Sequence, residues 1–453
     1  MKVSIQIFIT ISGYILYALY YYLVAPQSSY AELGIQSIIV LALTFFFLVG
    51  VNRYRIFSYP VIFSLLVWLF HFGNFPPYVF GAEKAITVND FRHYTFESPH
   101  AAFNVCILFY IVLNIGLIVK KPKEIVEISE KNKIYFNKNF IRIVKVFFAI
   151  CLVPYMIYTI RMFTLSGYSD IRKQNMAGAL SYIALVLYSC AIILFCDAVM
   201  KHKIWMILFL YVCFAIQIFV GQRLDSVCLE VTFLIIHLDH RKINVKSIIL
   251  LGIFGFFGIY ILDVVARYRH DLSLLFSKMF ALSTVQSFFQ NNPIFIFMGN
   301  FGGTVTTVIG AVRNFTLDNY LFGITYVAAL ARIFPAIHRF LPSIWETYIY
   351  AFDESDMHSL GGSIIGEAYA NFGYFGFIPI LILGFIIAKL YAYEMKTKRK
   401  DILFYCWIFI VYFQLMGVIR GYIRNIVFLS AWTFLIFYVF KVRKISIYEM
   451  RQS

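Results

Sequence analysis

Long apolar stretches separated by short basic connections recur along the whole chain. An α-helix needs about 20 mainly apolar residues to cross a hydrocarbon core. Twelve stretches meet or approach that length, at 4–24, 34–51, 57–75, 101–119, 142–163, 178–200, 204–220, 225–238, 247–266, 372–393, 402–419 and 426–441. The pattern predicts an all-α polytopic integral membrane protein with about 12 transmembrane helices. Between the ninth and tenth spans lies a large loop, from His270 to about Gly366, a length that is uncommon without a function. Inside it, 272–289 and 321–340 carry apolar residues at roughly helical spacing and predict helices lying along the membrane surface. Residues 294–312, with Gly299, Gly302, Gly303, Thr304, Thr306 and Thr307, fit either a re-entrant piece or a true span. If they span, 321–334 must span as well, which makes 14 and leaves every later element on its own side. The organisation that follows is nine N-terminal spans in 1–269, an outer loop with surface or re-entrant helices in 270–371, and three spans with a short tail in 372–453.

Composition narrows the class. With 61% hydrophobic and 14% charged residues over 453 positions, the chain has too little polar surface for a soluble globule. The first stretch is flanked only by Lys2 and lacks a small-residue cleavage site, so it is expected to be a retained span and not a removed signal. The seven cysteines sit in apolar runs at unpaired spacings, where they suit packing and indicate neither disulfides nor zinc. Arg53, Arg55 and the basic residues within 120–145, 201–203, 241–246, 396–400 and 441–444 fall on one side, which the positive-inside rule makes cytoplasmic, together with both termini. These juxtamembrane lysines also explain the net charge of +16 through membrane lipid, without a nucleic-acid partner.

The opposite side is basic too, and mostly through arginine. Gly221-Gln222-Arg223-Leu224-Asp225 turns between spans seven and eight, Arg267-Tyr268-Arg269-His270-Asp271 follows span nine, and Arg420-Gly421-Tyr422-Ile423-Arg424-Asn425 joins spans eleven and twelve. Snorkelling to headgroups or pairing with Asp225 or Asp271 would account for any one of them. Lysine would snorkel equally well, whereas the guanidinium fork fits a phosphate bidentately. Arg223, Arg267, Arg269, Arg420 and Arg424 are therefore candidate ligands for a membrane-embedded diphosphate. Residues 353–376 add acids and a base. His358 can take a proton from a hydroxyl near neutral pH, and Glu367, just before span ten, gains basicity if partly desolvated. The plainer alternatives are a solvated histidine and an acid favoured by a helix N-terminus. Asp353, Glu354 and Asp356 lack metal-ligand spacing, and neither H-E-x-x-H nor a P-loop occurs, so no metal or cofactor is expected. Glu230 and Asp263 raise ion coupling, but a transporter's internal repeats are not evident.

Four pieces carry a family resemblance: G-Q-R at 221–223, A-R-Y-R at 266–269, H-S-L-G-G-S-I-I-G-E-A-Y-A-N-F-G at 358–373 and I-R-G-Y-I-R-N at 419–425. In this order, with one large late loop, the chain resembles the O-antigen, or oligosaccharide repeat-unit, polymerases of the Wzy family. The resemblance implies a GT-C-like glycosyltransferase of the bacterial inner membrane. Its partners would be an undecaprenyl-diphosphate-linked donor and acceptor, with room for a chain-length regulator protein. The nascent chain would pass to the non-reducing end of a new repeat unit at the periplasmic face. His358, or in second place Glu367, would deprotonate the acceptor, and the arginines would hold the leaving diphosphate. An O-antigen ligase, acting on lipid A core, and a lipid-linked oligosaccharide flippase are the alternatives.

Overall fold

A computed structural model of the chain describes residues 29–81, 99–119, 134–173, 178–219, 223–240, 245–268, 271–331, 362–397, 402–421 and parts of 427–450, with isolated positions elsewhere. Most of the first expected span, 4–24, and half of the last, 426–441, lie outside the described residues.

Helices dominate. In order, those of eight residues or more among the described residues are α1 (Tyr30–Phe45), α2 (Tyr59–Phe72), α3 (His100–Ile118), α4 (Lys138–Lys173), α5 (Gly178–Met200), α6 (Ile204–Phe219), α7 (Arg223–His240), α8 (Val245–Tyr268), α9 (Leu272–Met279), α10 (Leu282–Gln290), α11 (Pro293–Gly302), α12 (Val305–Asn314), α13 (Ile324–Ala331), α14 (Ile364–Phe372), α15 (Phe377–Thr397) and α16 (Ile402–Ile419). Among the described residues seven helical stretches are long and apolar enough to cross a membrane, and Tyr59–Phe72, Ile204–Ile218 and Gly255–Val265 are shorter apolar helices. The chain is a polytopic membrane protein. One departure from an all-helical fold is a two-stranded antiparallel pairing of β1 (Ile134–Phe136) with β2 (Tyr448–Met450).

The boundaries follow local chemistry. A capping box starts α1, with the Ser29 hydroxyl accepting from the Glu32 N–H and the Glu32 carboxylate accepting from the Ser29 N–H. The helix ends in a π turn over Phe46–Val51. Ser58 in extended backbone and Pro60 in the first turn start α2.

The helical pattern over 272–289 resolves into two helices, α9 and α10, parted at Phe280 and Ala281. Of the two readings of 294–312, Pro293–Asn314 is long and apolar enough to span, as α11 and α12 interrupted at Gly303 and Thr304. One expectation is corrected. The helix expected from 372 begins at Ile364, breaks in a 3₁₀ turn over Gly373–Gly376, and resumes as α15. What reads as a polar lead-in is helix already.

Contacts divide the chain into two compact units. The first comprises Met1–Ile125, Ile294–Met395 and Leu415–Phe428; the second comprises Val126–Pro293, Lys396–Gln414 and Leu429–Ser453.

In the first unit Trp68 Nε1 donates to the Ser37 carbonyl at 2.7 Å and joins α2 to α1. Ser64 on α2 meets Tyr110 and donates to Asn114 on α3 at 2.7 Å. The Tyr54 hydroxyl donates to the Leu117 carbonyl, a helix-end acceptor with no partner of its own helix. Gly116 on α3 and Gly384 on α15 cross so closely that a methyl on either would strike the other helix's backbone.

The second unit is held by rings. Phe195 on α5 stacks on Phe233 on α7 with centroids 4.2 Å apart, and Tyr211 and Phe214 on α6 pack edge-on to the same ring. Tyr155 and Tyr188 share a hydroxyl hydrogen bond of 2.8 Å. The seven cysteines are free thiols, buried except for the half-buried Cys213.

Candidate functional site

Ser363, Glu367 and Asn371 recur every fourth residue, so a helix places them on one face. That helix is α14, and all three are buried, Glu367 at 1% exposure. Ser363 is its cap, accepting the Gly366 N–H at 3.0 Å through its hydroxyl and the Glu367 N–H at 2.7 Å through its carbonyl. Glu367 stands in the first turn, where the helix dipole favours a carboxylate.

The Ser363 hydroxyl has a second partner on another helix. His71, in the last turn of α2, places Nε2 2.8 Å from Ser363 Oγ and Nδ1 2.8 Å from the Val67 carbonyl. A carbonyl only accepts, so Nδ1 carries the proton and donates to it. Nε2 is then the acceptor of the Ser363 hydroxyl proton. Both side chains are completely buried.

At its other end α14 is tied to the segment that leads into α13. Asn371 Nδ2 donates to Thr325 Oγ1 at 2.8 Å, and Asn371 Oδ1 accepts the Gly323 N–H at 3.0 Å. The Leu321 and Phe322 N–H groups donate to the carbonyls of Ala370 and Asn371. Tyr326 stacks on Phe372 and lies within electrostatic reach of Glu367. Gly373 closes the helix with φ +57°, and a Cβ there would collide with the Tyr320 ring and hydroxyl, so only glycine fits.

Next to α14 packs α12, which also touches α2 and α3. It opens with Thr304, Thr306 and Thr307, all buried. The Thr304 Oγ1 has no hydrogen-bond partner among the described residues. The break before α12 abuts the end of α2, where a Cβ on Gly302 would strike the backbone of Gly73 and Asn74. Polar side chains of α2, α12, α13 and α14 thus form a buried seam inside one unit. Ionisable groups buried inside a membrane protein are costly, which makes the seam a candidate site.

The residues singled out from sequence are placed as follows. Glu367 lies in the seam. Arg420 is in the same unit, half-buried in the turn after α16, which the Gly421 N–H closes onto the Val418 carbonyl. Arg267 is in the other unit, near the end of α8, and grips Asp263 bidentately, with Nε–Oδ1 3.1 Å and Nη2–Oδ2 3.0 Å. Its partner is therefore Asp263, one turn back, and not Asp271, which caps α9 by accepting the Leu274 N–H at 3.0 Å. Arg223 begins α7, but its side chain is outside the described residues, as are His358, Arg269 and Arg424. Among the described residues no group of three metal-ligating side chains occurs.

His71, Ser363, Asn371 and Thr325 were not singled out from the sequence. The four-residue spacing of Ser363, Glu367 and Asn371 was the available signal. A lone histidine in an apolar run carried none.

A profile of the family described as O-antigen polysaccharide polymerase Wzy matches residues 3–451, nearly the whole chain. No curated protein matches the chain. No solved structure matches it either.

Proposed function

We propose, from the premise that this chain belongs to the O-antigen polysaccharide polymerase Wzy family, that it moves a growing glycan between undecaprenyl diphosphate carriers at the periplasmic face of the inner membrane. The observation that carries this reading is the family match over residues 3–451. In the step proposed, an acceptor hydroxyl at the non-reducing end of a new repeat unit attacks the anomeric carbon of the nascent chain. The new glycosidic bond forms as the bond to the carrier diphosphate breaks. The diphosphate leaves with the electron pair, and the hydroxyl proton goes to a protein base.

Arg223, Arg267, Arg269, Arg420 and Arg424 are assigned to the diphosphate. A lipid-borne diphosphate stays in the headgroup region, and charge developing on it is stabilised by fixed cations. Arg267 already has its fork on Asp263, so Arg223 and Arg420 give the cleaner test. His358 is assigned as base. Glu367, at 1% exposure, can reach a sugar only if the seam opens, so it takes second place.

The test is a deletion strain whose surface polysaccharide is run on a gel. Loss of the polymerase leaves glycans of a single repeat on the acceptor core, and the intact gene restores the ladder. A normal ladder in the deletion overturns the assignment, and long chains retained on the lipid carrier make the protein a ligase. In complementation, Arg223→Ala and Arg420→Ala are expected to abolish the ladder at normal protein level, with lysine rescuing poorly. Full ladders from both alanine variants remove the diphosphate assignment.

A further inference from the structure

We infer that His71 is a positioning residue for the transfer, acting through Ser363 on the root of the outer loop. The observation is the Nε2–Oγ contact of 2.8 Å between two completely buried side chains 292 positions apart in sequence. The histidine is not needed as filler there, because an apolar side chain would bring no polar group of its own to satisfy. Its tautomer is fixed by Val67, so Nε2 presents a lone pair to one partner, the Ser363 hydroxyl.

The helix that Ser363 starts is short and cannot borrow rigidity from α15, since Gly373–Gly376 interrupts the two. Beside its packing against α12, it is held by bonds at its ends. Asn371, Thr325 and the Leu321–Gly323 backbone fix its C-terminal end. His71 ties its N-terminal end to a different helix. Ser363 is also where the outer loop re-enters the described fold, and His358 lies five residues upstream. Five residues span at most ~17 Å, so the position of Ser363 bounds where His358 can be. Letting Ser363 drift would loosen the cap that carries Glu367 and the tether that carries His358 together. Reacting groups displaced by an ångström lose rate, while binding of a lipid-linked substrate elsewhere is spared.

This inference rests on the reading that His358 or Glu367 receives the acceptor proton. The experiment uses the purified full chain with defined lipid-linked repeat units and reads kcat, acceptor KM and thermal stability together. His71→Leu and Ser363→Ala are each expected to lower kcat by about tenfold or more with acceptor KM changed less than about twofold. The unfolding temperature should fall by only a few degrees, too little to account for the loss of kcat. His71→Gln, which returns an acceptor near the Nε2 position, is expected to recover most of the lost kcat. The double variant should be no slower than the slower single variant, because both remove one contact.

Unchanged kcat in Ser363→Ala overturns the proposal, even if His71→Leu fails to accumulate. So do losses that multiply in the double variant, or a fall in activity fully matched by a fall in unfolding temperature. Wild-type kcat in both His358→Ala and Glu367→Gln would sink the base assignment instead. An inactive base variant beside a fully active His71→Leu would sink the anchor alone.

Discussion

The Phe195–Phe233 stack and the His71–Ser363 pair are equally inaccessible, with each of the four residues at 0% exposure, and they are held by opposite means. The stack belongs to a cluster of rings in van der Waals contact, where another well-shaped apolar side chain can stand in. The pair belongs to a unit whose centre is a chain of directional bonds from α2 through α14 to α13, where each partner has one geometry that satisfies it. Lipid tails are as apolar as leucine, so burying another apolar residue gains little in a membrane, and a polar one left unpaired costs much. The first unit has accepted that cost along one seam.

The comparison can be broken most decisively at a glycine. Gly302→Ala presses a methyl into the Gly73 and Asn74 backbone and is expected to cost about 3 kcal/mol. Gly252→Ala, on α8, meets nothing within 4 Å and should be neutral or stabilising by about 0.5–1 kcal/mol through helix propensity. Thermal unfolding in one detergent ranks the two, and equal behaviour would mean that the seam is not tightly packed.

A smaller effect separates the two kinds of core. Asn371→Leu orphans the Thr325 hydroxyl and the Gly323 N–H and should cost about 2–3 kcal/mol. Phe233→Leu, an apolar replacement within the ring cluster, should cost less, about 1.5 kcal/mol. The reverse order would erase the distinction.

The smallest effect is electrostatic and lies outside the membrane-spanning segments. The Leu274 N–H, with the Ser273 hydroxyl next, holds the Asp271 carboxyl below its ordinary range. A folded value below the unfolded ~3.9 means that its contribution is complete above that pH. It is lost as pH falls through the lowered folded value. Asp271→Asn should lower stability slightly at neutral pH, flatten the acid limb of the profile, and leave stability below the lowered folded value nearly unchanged.

The spans were legible because about 20 apolar residues admit few other readings, and α3, α5 and α16 lie close to the stretches read from sequence. The interruption at Gly303 and Thr304 was half legible. Glycines and threonines signal a weak point, but only the backbone of Gly73 and Asn74 shows why the weak point is there. The start of α14 was missed for a physical reason. Ser363, Glu367 and Asn371 lower the local hydropathy, and they read as loop until His71, Thr325 and Gly323 supply their partners from distant parts of the chain. Arg267 illustrates the same limit, since Asp263, one helical turn earlier, was as near in sequence as Asp271 and only geometry chose between them. Of the buried seam, the sequence singled out Glu367, within the stretch 353–376.

The crossing of Gly116 and Gly384 has a mechanical consequence. Where two helices touch backbone to backbone, sliding along either axis drives side chains of the next turn into the partner, so rocking about the contact is the cheaper motion. Gly376, where the 3₁₀ turn ends, is eight residues from Gly384, about 12 Å along the helix. The glycine pair is in that sense a hinge pin, and the joint to α14 rides at the end of the lever arm.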